Sequence, residues 1–471
     1  MKELRASMRV VCLILAAAIL AATALFMVTV RVNRARWTNL AYNSRLADAK
    51  KVTVQGTITD KTGVVLSHSP APGVRTYASN EAMRRALSHT LGDQSGMSET
   101  GVENLHASTL LGITDTNTGY ALQRIAGNDP VGNSITLTVN AELTRYLASV
   151  FPADKDGAAV VINYKTGAIL AMVSFPDYDP ANMGAWPVDT SYFNRALQYT
   201  YAPGSTFKIV TLVSALENLP GAADEIYTCA GAWNYAGHSL KCASNAVHGD
   251  LTLMDAFAKS CNVTFGALAF NIGAPAMRET AERFGFNFHF SFDDVILYDS
   301  QCLADGSGGS ELIQTGIGQG RTEATPLHMA MIAGAIANGG QMMEPKLIFS
   351  VTNPAGTAIQ TMQPALFRTV ASPETCEIVA RYMYETVQNG TGTRANLPNY
   401  HSGYVCGKTG SAEWTEDKNA PTNAWYVGFL YGDDAHPYAV AVIVEKGGSG
   451  GTAAAPIAAK ALEKAVGLGV Y

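Results

Sequence analysis

A chain of 471 residues, 47% of them hydrophobic and only 15% charged, holds enough apolar material for two soluble domains with cores of their own. Its net charge of −6 and pI near 5.9, with no Lys/Arg block beyond the N-terminal region, exclude the electrostatic footprint of a nucleic-acid binder.

The first element is an uncharged apolar run over residues 10–30, bounded by Arg9 and Arg31. As a helix rising about 1.5 Å per residue it is long enough to cross a hydrocarbon core of about 30 Å. The run is longer than a signal-peptide core, and Arg31-Val-Asn-Arg34 has no Ala-x-Ala-like cleavage site, so residues 1–31 are expected to be a retained anchor with a short tip. Lys2, Arg5 and Arg9 on one side balance Arg31, Arg34 and Arg36 on the other, so charge alone sets no orientation.

Residues 32–150 read as a small, mainly β unit. Residues 52–58 alternate as a strand does, Asp60-Lys-Thr-Gly63 is a turn, and Val64-Val-Leu66 resumes the pattern, which predicts a hairpin. Residues 81–91 suit a short helix, and 92–119 are rich in Gly, Ser, Thr and Asn with little periodicity. No set of catalytic residue types occurs here, which suits a pedestal rather than a second enzyme.

The main domain, residues 151–471, opens on a composition shift. Ile135-Thr-Leu-Thr-Val139 leads into a helix-like stretch over 141–150, after which Gly157-Ala-Ala-Val-Val-Ile-Asn163 and residues 168–175 flank Lys165-Thr-Gly167 as a hairpin of buried-type strands. At the far end, 403–407, 424–430 and 438–445 are strand candidates, followed by an alanine-rich helix over about 453–465. Strands from both ends with helices between them predict an α+β domain, an antiparallel sheet covered by helices.

Inside the helical middle lies Tyr201-Ala-Pro-Gly-Ser-Thr-Phe-Lys-Ile-Val210. Pro203-Gly204 is a turn that releases into a helix, with Ser205 at or near its first position. Ser205 and Lys208, three apart, share a helix face, a nucleophile beside a base. A serine hydroxyl attacks only if a neighbour takes its proton, and a lysine can take it only with a lowered pKa. The apolar surround of Phe207, Ile209, Val210, Leu212, Val213, Ala215 and Leu216 marks a buried helix, and burial disfavours the ammonium. Ser205 is the only serine with a lysine three residues on, and Ser260-Cys-Asn262, after a helix-like run over 251–259, is the only Ser-x-Asn. Lys408-Thr-Gly410-Ser411 ends a strand candidate; Lys61-Thr-Gly63 and Lys165-Thr-Gly167 repeat its first three letters in hairpin turns, so position rather than spelling singles it out. A phosphate-binding loop ending at Gly407-Lys-Thr409 needs glycine at 402, where Ser402 stands, with Gly403 one place too close.

In that order, Ser205-Thr-Phe-Lys208, Ser260-Cys-Asn262 and Lys408-Thr-Gly410 resemble the three motifs of penicillin-binding proteins and serine β-lactamases. Asn194-Arg-Ala196, Gly318-Gln-Gly320, Thr325-Pro326 and Ala424-Trp-Tyr-Val-Gly428, with one anchor and a pedestal, look like class B penicillin-binding proteins, the monofunctional peptidoglycan D,D-transpeptidases. The resemblance implies a β-lactamase/transpeptidase-like fold, acyl transfer on D-Ala-D-Ala stem peptides, acylation by β-lactams, and no cofactor or metal. It assigns Ser205 as nucleophile, Lys208 as general base, Ser260 as proton relay, Asn262 as a hydrogen-bond partner of the substrate amide, Lys408 as a cation and Thr409 as a hydroxyl for the terminal carboxylate, Gly410 and Ser411 as further substrate-binding residues, and the N–H groups of Ser205 and Ser411 as oxyanion hole. It further implies a single-pass cell-membrane protein with its catalytic body outside the cytoplasm, and a polytopic glycan polymerase as partner. A D,D-carboxypeptidase or a non-catalytic β-lactam sensor is the alternative on the same fold. Two departures stand out: the pedestal block that usually begins Arg-Gly reads Gln55-Gly56, and no Glu-x-x-Leu-Asn stretch follows Asn262 to activate a deacylating water. Of seven cysteines, Cys229 and Cys242 are expected as a disulfide or as free thiols, and no short Cys-x-x-Cys spacing supports a zinc site with His238 or His248.

Overall fold

The computed structural model describes residues 2–38, 44–113, 125–183, 189–235, 237–303, 307–415, 417 and 420–470, with side chains left out at 2–7, 9–10, 30–38, 189 and 235. The flanking charges at Lys2, Arg5, Arg9, Arg31, Arg34 and Arg36 and the part of the 92–119 stretch beyond residue 113 therefore lie outside the description.

Helix α1 (Lys2–Thr38) contains the apolar run. Its segment Val11–Thr29, of mean hydropathy 2.8, packs against nothing in the protein and is long and apolar enough to cross a membrane.

The smaller unit is built on a six-stranded sheet in the order Ala358–Thr361, Ile348–Thr352, Ser134–Leu137, Ile58–Thr59, Val65–Ala71 and Val74–Tyr77. The predicted hairpin forms, with Asp60 Oδ1 accepting from Thr62 N at 2.8 Å and Val64 N at 2.9 Å, but its first strand is only Ile58–Thr59, since Val52 ends a helix and Val54 makes only an isolated bridge to Val131. The low-periodicity stretch holds two single-turn helices, Val102–Leu105 and Ala107–Leu110. Gly56 has no room for a side chain, since a Cβ there would lie 1.8 Å from Asn133 O. Its carbonyl accepts from Arg75 Nη1 at 2.8 Å, and Arg75 Nε reaches Glu103 Oε1 at 2.7 Å. The buried guanidinium on this glycine thus comes from Arg75, while Gln55 beside it is buried with no hydrogen-bond partner for its amide among the described residues.

The main sheet has five antiparallel strands, β1 (Gly157–Asn163), β2 (Ile169–Phe175), β3 (Tyr404–Ala412), β4 (Asn423–Tyr431) and β5 (Tyr438–Val444), in the order β3-β4-β5-β1-β2. Both chain ends build it, as the sequence predicts. Side chains alternate between two cores, which is why its central strands read as unbroken apolar runs. Ala158, Val160 and Ile162 face the helical middle, while Ala159 and Val161 face a second core. Helix α2 (Ala141–Val150) supplies Leu143 and Leu147 to this second core, where they meet Ala458 and Leu462 of the terminal helix. The packing departs from a division at residue 150 in two places: α2 lies on the main sheet, and the strands over 348–361 complete the six-stranded sheet of the smaller unit. Residue spacing cannot show either contact, because both arise from tertiary packing rather than from a local pattern.

On the first face lie α3 (Lys208–Asn218), α4 (Leu253–Ala258), α5 (Asn262–Ile272), α6 (Pro326–Ala337) and α7 (Pro373–Gln388), with α8 (Ala455–Leu468) on the opposite face. Every residue of α6 is buried, as are Lys208 to Ala215 in α3. Gly334 lets α6 press on the sheet, since a Cβ there would sit 2.9 Å from Tyr164 Cβ.

Candidate active site

Three segments converge beside β3, the edge strand of the main sheet. Residues 204–207 form a 3₁₀ turn and α3 begins at Lys208; residues three apart nearly eclipse in such a turn, so Ser205 and Lys208 share one side, as expected. Gly204 sits at φ +54°, and its N–H donates to Gly318 O at 2.8 Å. A Cβ on Gly318 would lie 2.0 Å from Gly204 O, so Gly318-Gln-Gly320 buttresses the serine turn.

Lys208 is fully buried. Its Nζ donates to Ser260 O at 2.7 Å, to Asn262 Oδ1 at 2.8 Å and to Ser260 Oγ at 3.3 Å. First and second motifs are therefore one hydrogen-bonded unit, with the half-buried Ser205 at its mouth. Burial lowers the Lys208 pKa to about 7, so near neutrality the neutral amine a general base requires is well populated. Ser260 holds a left-handed backbone, φ +59°, between the end of α4 and the start of α5. Asn262 is the first residue of α5, and its Nδ2 donates to Lys241 O at 3.1 Å.

The third motif lies inside β3 rather than at a strand end, since the strand runs on to Ala412. Gly410 makes the close approach feasible, since a Cβ there would lie 2.9 Å from Pro203 O, while Gly407 leaves room for Tyr426 of the adjacent strand, whose Oη a Cβ would meet at 2.0 Å. As an edge strand, β3 leaves alternate backbone N–H groups unpaired by the sheet, donors on the side of the Ser205 turn. Lys408 is fully buried and faces Phe257 of α4, with Nζ 5.5 Å from the ring centroid. Burial first, and then the charge of Lys208, lower its pKa well below the usual value. An incoming carboxylate would counter both effects. Ser411 is exposed beyond Gly410, and a Cβ on Gly204 would lie 3.1 Å from Ser411 O, so the third-motif strand meets the turn that carries Ser205.

The flanking blocks meet there too. Tyr201 and Ala324, just before Thr325-Pro326, exchange backbone hydrogen bonds of 3.0 and 2.9 Å, and Trp425 Nε1 donates to Ala202 O at 3.0 Å. Arg195 Nε and Tyr201 Oη both donate to Glu445 Oε1, at 2.8 and 2.7 Å, clamping the serine segment to the end of β5. Glu445 and Thr391 escape motif reading; Thr391 Oγ1 lies 2.5 Å from Thr409 Oγ1, and its N–H donates to Ala258 O at 3.1 Å. No spacing signal marks either, because both contacts are long-range.

Cys229 and Cys242 are not a disulfide. Their sulfurs are 3.6 Å apart and both residues are free and buried, against an S–S bond of about 2.05 Å. Cys261 and His248 join them, whereas His238 hydrogen-bonds Ser310 Oγ at 2.8 Å instead. Cys406 is a core residue of β3 whose thiol burial pushes well up.

Residues 157–463 match the family model described as the penicillin binding protein transpeptidase domain. The chain belongs to the penicillin-binding protein transpeptidase family. Among curated relatives of this penicillin-binding protein, the peptidoglycan D,D-transpeptidase PbpA of Mycolicibacterium smegmatis is 31% identical over 402 residues, 77% of this chain and 78% of that one. The stage V sporulation protein D of Bacillus subtilis is 32% identical over 346 residues, 69% of this chain and 51% of that protein. Penicillin-binding protein A from M. tuberculosis, solved as a ceftriaxone acyl-enzyme complex, superposes with a TM-score of 0.79 at 29% identity, covering 89% of this chain and all of that one. The D,D-transpeptidase domain from Eggerthella lenta superposes with a TM-score of 0.75 at 32% identity over 88% of this chain and 99% of that one. The family and fold implied by the three motifs are those the comparisons return.

Proposed function

We propose that this protein is a peptidoglycan D,D-transpeptidase that cross-links stem peptides through an acyl-enzyme on Ser205. The observation that carries the reading is the buried Lys208, hydrogen-bonded to Ser260 and Asn262 and lowered to a pKa of about 7. Lys208 takes the Ser205 hydroxyl proton as Oγ attacks the carbonyl of the penultimate D-Ala. The N–H groups of Ser205 and Ser411 hold the resulting oxyanion, a contribution of roughly 3–4 kcal/mol per donor in comparable sites. The C–N bond then breaks, and Ser260 passes a proton from Lys208 to the departing D-Ala amine. Asn262 holds the substrate amide, while Lys408, Thr409 and Gly410 receive the terminal carboxylate, whose charge favours the ammonium of Lys408. An amine of a second stem attacks the ester, forms the cross-link and returns the proton to Ser205. A β-lactam enters the same sequence at the first step and stalls there.

The helix Lys2–Thr38 supports a single-pass anchor in the cell membrane with the body outside the cytoplasm, where stem peptides are found. Residues 32–150, with the strands over 348–361, act as the pedestal, and anchor and pedestal bind a polytopic glycan polymerase. Co-purification with such a polymerase should be lost on deletion of the anchor helix, residues 1–38; retention would remove the anchor from that interface. For the reaction, the full chain in detergent is given a stem pentapeptide donor and an amine acceptor. Cross-linked product, absent with Ser205→Ala, is expected; release of D-Ala with only hydrolysed tetrapeptide would make the protein a carboxypeptidase, and no turnover a sensor.

A further inference from the structure

The loop that follows α7, Asn389-Gly-Thr-Gly392, carries none of the three motifs and yet joins the second to the third. A Cβ on Gly390 would lie 2.4 Å from Ala258 O, and Thr391 N donates to that same carbonyl at 3.1 Å. Ala258 is the last residue of α4, two before Ser260. Gly392 N donates to Thr386 O at 3.0 Å, which fixes the loop to α7 as well. From the other side comes the short helix Gly450–Ala453. A Cβ on Gly451 would lie 2.4 Å from Thr391 O, and one on Gly450 would lie 2.4 Å from Gly410 O. The Thr391 backbone is therefore confined between the end of α4 and the helix that packs on Gly410.

What this confinement aims is a hydroxyl. Thr391 Oγ1 lies 2.5 Å from Thr409 Oγ1 and is, among the described residues, the hydrogen-bond partner of that hydroxyl. Thr409 is buried while Thr391 stands at the surface, and a β-branched side chain on a fixed backbone has few χ1 settings. The two hydroxyl protons have two arrangements. In one, Thr409 donates to Thr391, whose own proton goes to Ala258 O at 3.5 Å, a long bond to a carbonyl that already accepts from Thr391 N. In the other, Thr391 donates to Thr409, and the Thr409 proton is left for an acceptor in the cleft. An anion beside Thr409 selects the second arrangement, because only that one offers it a donor. A hydroxyl that is itself accepting a hydrogen bond is also the stronger donor.

We propose that Thr391 is a positioning residue of the carboxylate site, whose hydroxyl donates to Thr409 Oγ1 and so turns the Thr409 proton towards the terminal carboxylate of the acyl donor. Thr391 touches no reacting atom and acts only through Thr409. This rests on the acyl-transfer reading above, which brings the carboxylate to Thr409. The relay favours a donor peptide that ends at this point over one that continues as an amide, since a charged acceptor gains more from the same hydroxyl than a neutral carbonyl does.

The test uses the full chain in detergent and two acyl donors, benzylpenicillin and a penam analogue lacking its carboxylate, with the second-order rate constant of acylation read by intact mass spectrometry. Thr391→Val removes the hydroxyl with little change of shape. It should slow acylation by benzylpenicillin about three- to tenfold, the worth of one hydrogen bond, and leave the rate with the carboxylate-free penam unchanged. Thr391→Ser keeps a donor and should restore the parent rate. In a Thr409→Val background the relay has lost its end, so adding Thr391→Val should cost nothing more. If too little Thr391→Val folds, Thr391→Ala against Thr391→Ser makes the same comparison. An unchanged rate with benzylpenicillin, an equal loss towards both penams, or a loss that adds in full to that of Thr409→Val would overturn the relay while leaving Ser205 as nucleophile. A parent that benzylpenicillin does not acylate at Ser205 would instead overturn the acyl-transfer reading, and the relay with it.

Discussion

Gly410→Ala tests how closely the third motif must approach the nucleophile. The added Cβ would lie 2.9 Å from Pro203 O, 3.1 Å from Thr206 Cγ2 and 3.1 Å from Trp425 Cβ, where ordinary contact begins at 3.4 Å. The three neighbours surround the position, and two belong to the turn that carries Ser205. Strand and turn must therefore separate by roughly 0.5 Å, about the tolerance within which catalytic groups must be held. Displacements approaching 1 Å cost on the order of 10²-fold in rate, so acylation by a fluorescent penicillin, followed by stopped flow, should fall between about tenfold and a hundredfold. Overpacking should cost about 1–3 kcal/mol of stability, visible as a lower Tm. Gly467→Ala is the control: nothing lies within 4 Å of its Cβ and it stands inside α8, so it should be neutral or stabilising by up to about 1 kcal/mol. Acylation of Gly410→Ala within twofold of the parent, with unchanged Tm, would refute the claimed closeness of β3 and the serine turn.

Acylation should also report the titration of Lys208, which must be neutral to accept the Ser205 proton; with a pKa of about 7 the rate should fall about tenfold per unit well below that pH and level off above it. A rate still climbing to pH 10 would mean an unshifted lysine or a different base. Replacing Lys408 by Met removes the buried cation offered to the carboxylate and should weaken kcat/KM for acylation by about 1.5–3 kcal/mol, the worth of a hydrogen bond to a charged group, with Tm unchanged or raised. Equal loss towards an acyl donor lacking that carboxylate would dissociate Lys408 from carboxylate binding. In the pedestal, Glu103→Gln strips the carboxylate from Arg75, both side chains being about fully buried; it should destabilise by about 3–5 kcal/mol while protein that remains folded acylates normally. Acylation collapsing with Tm intact would contradict the pedestal's non-catalytic part.

Legibility followed sequence distance. Ser205 and Lys208 are one turn apart, and the buried face of α3 is written in consecutive apolar residues, so their shared side and the lowered lysine are legible locally. The hairpin of β1 and β2 was equally open, because Lys165-Thr-Gly167 is a true turn, with Asn163 Oδ1 accepting from Lys165 N at 2.9 Å. Long-range pairings were hidden. Nothing near residue 350 announces that Ile348–Thr352 will lie beside Ser134–Leu137, and Thr391 meets Thr409 only because α7 and β3 pack together. The cysteine cluster is the sharpest case. Its spacings follow no short metal motif, and it forms because Cys229 pairs with Gly249 across a two-stranded ladder, setting His248 beside a thiol that is distant in sequence. The third motif lies inside a continuous strand rather than at its end, because Gly410 lets the strand run close past Pro203 and Thr206, a contact that residue spacing does not show.

The central claim is that Ser205 is the acylated nucleophile. Intact mass spectrometry of the full chain in detergent after incubation with benzylpenicillin, beside Ser205→Ala, tests it most directly. A stable adduct of one drug mass, absent from the variant, is the predicted result. An adduct that survives Ser205→Ala, or hydrolysed drug with no adduct on the parent, would contradict it.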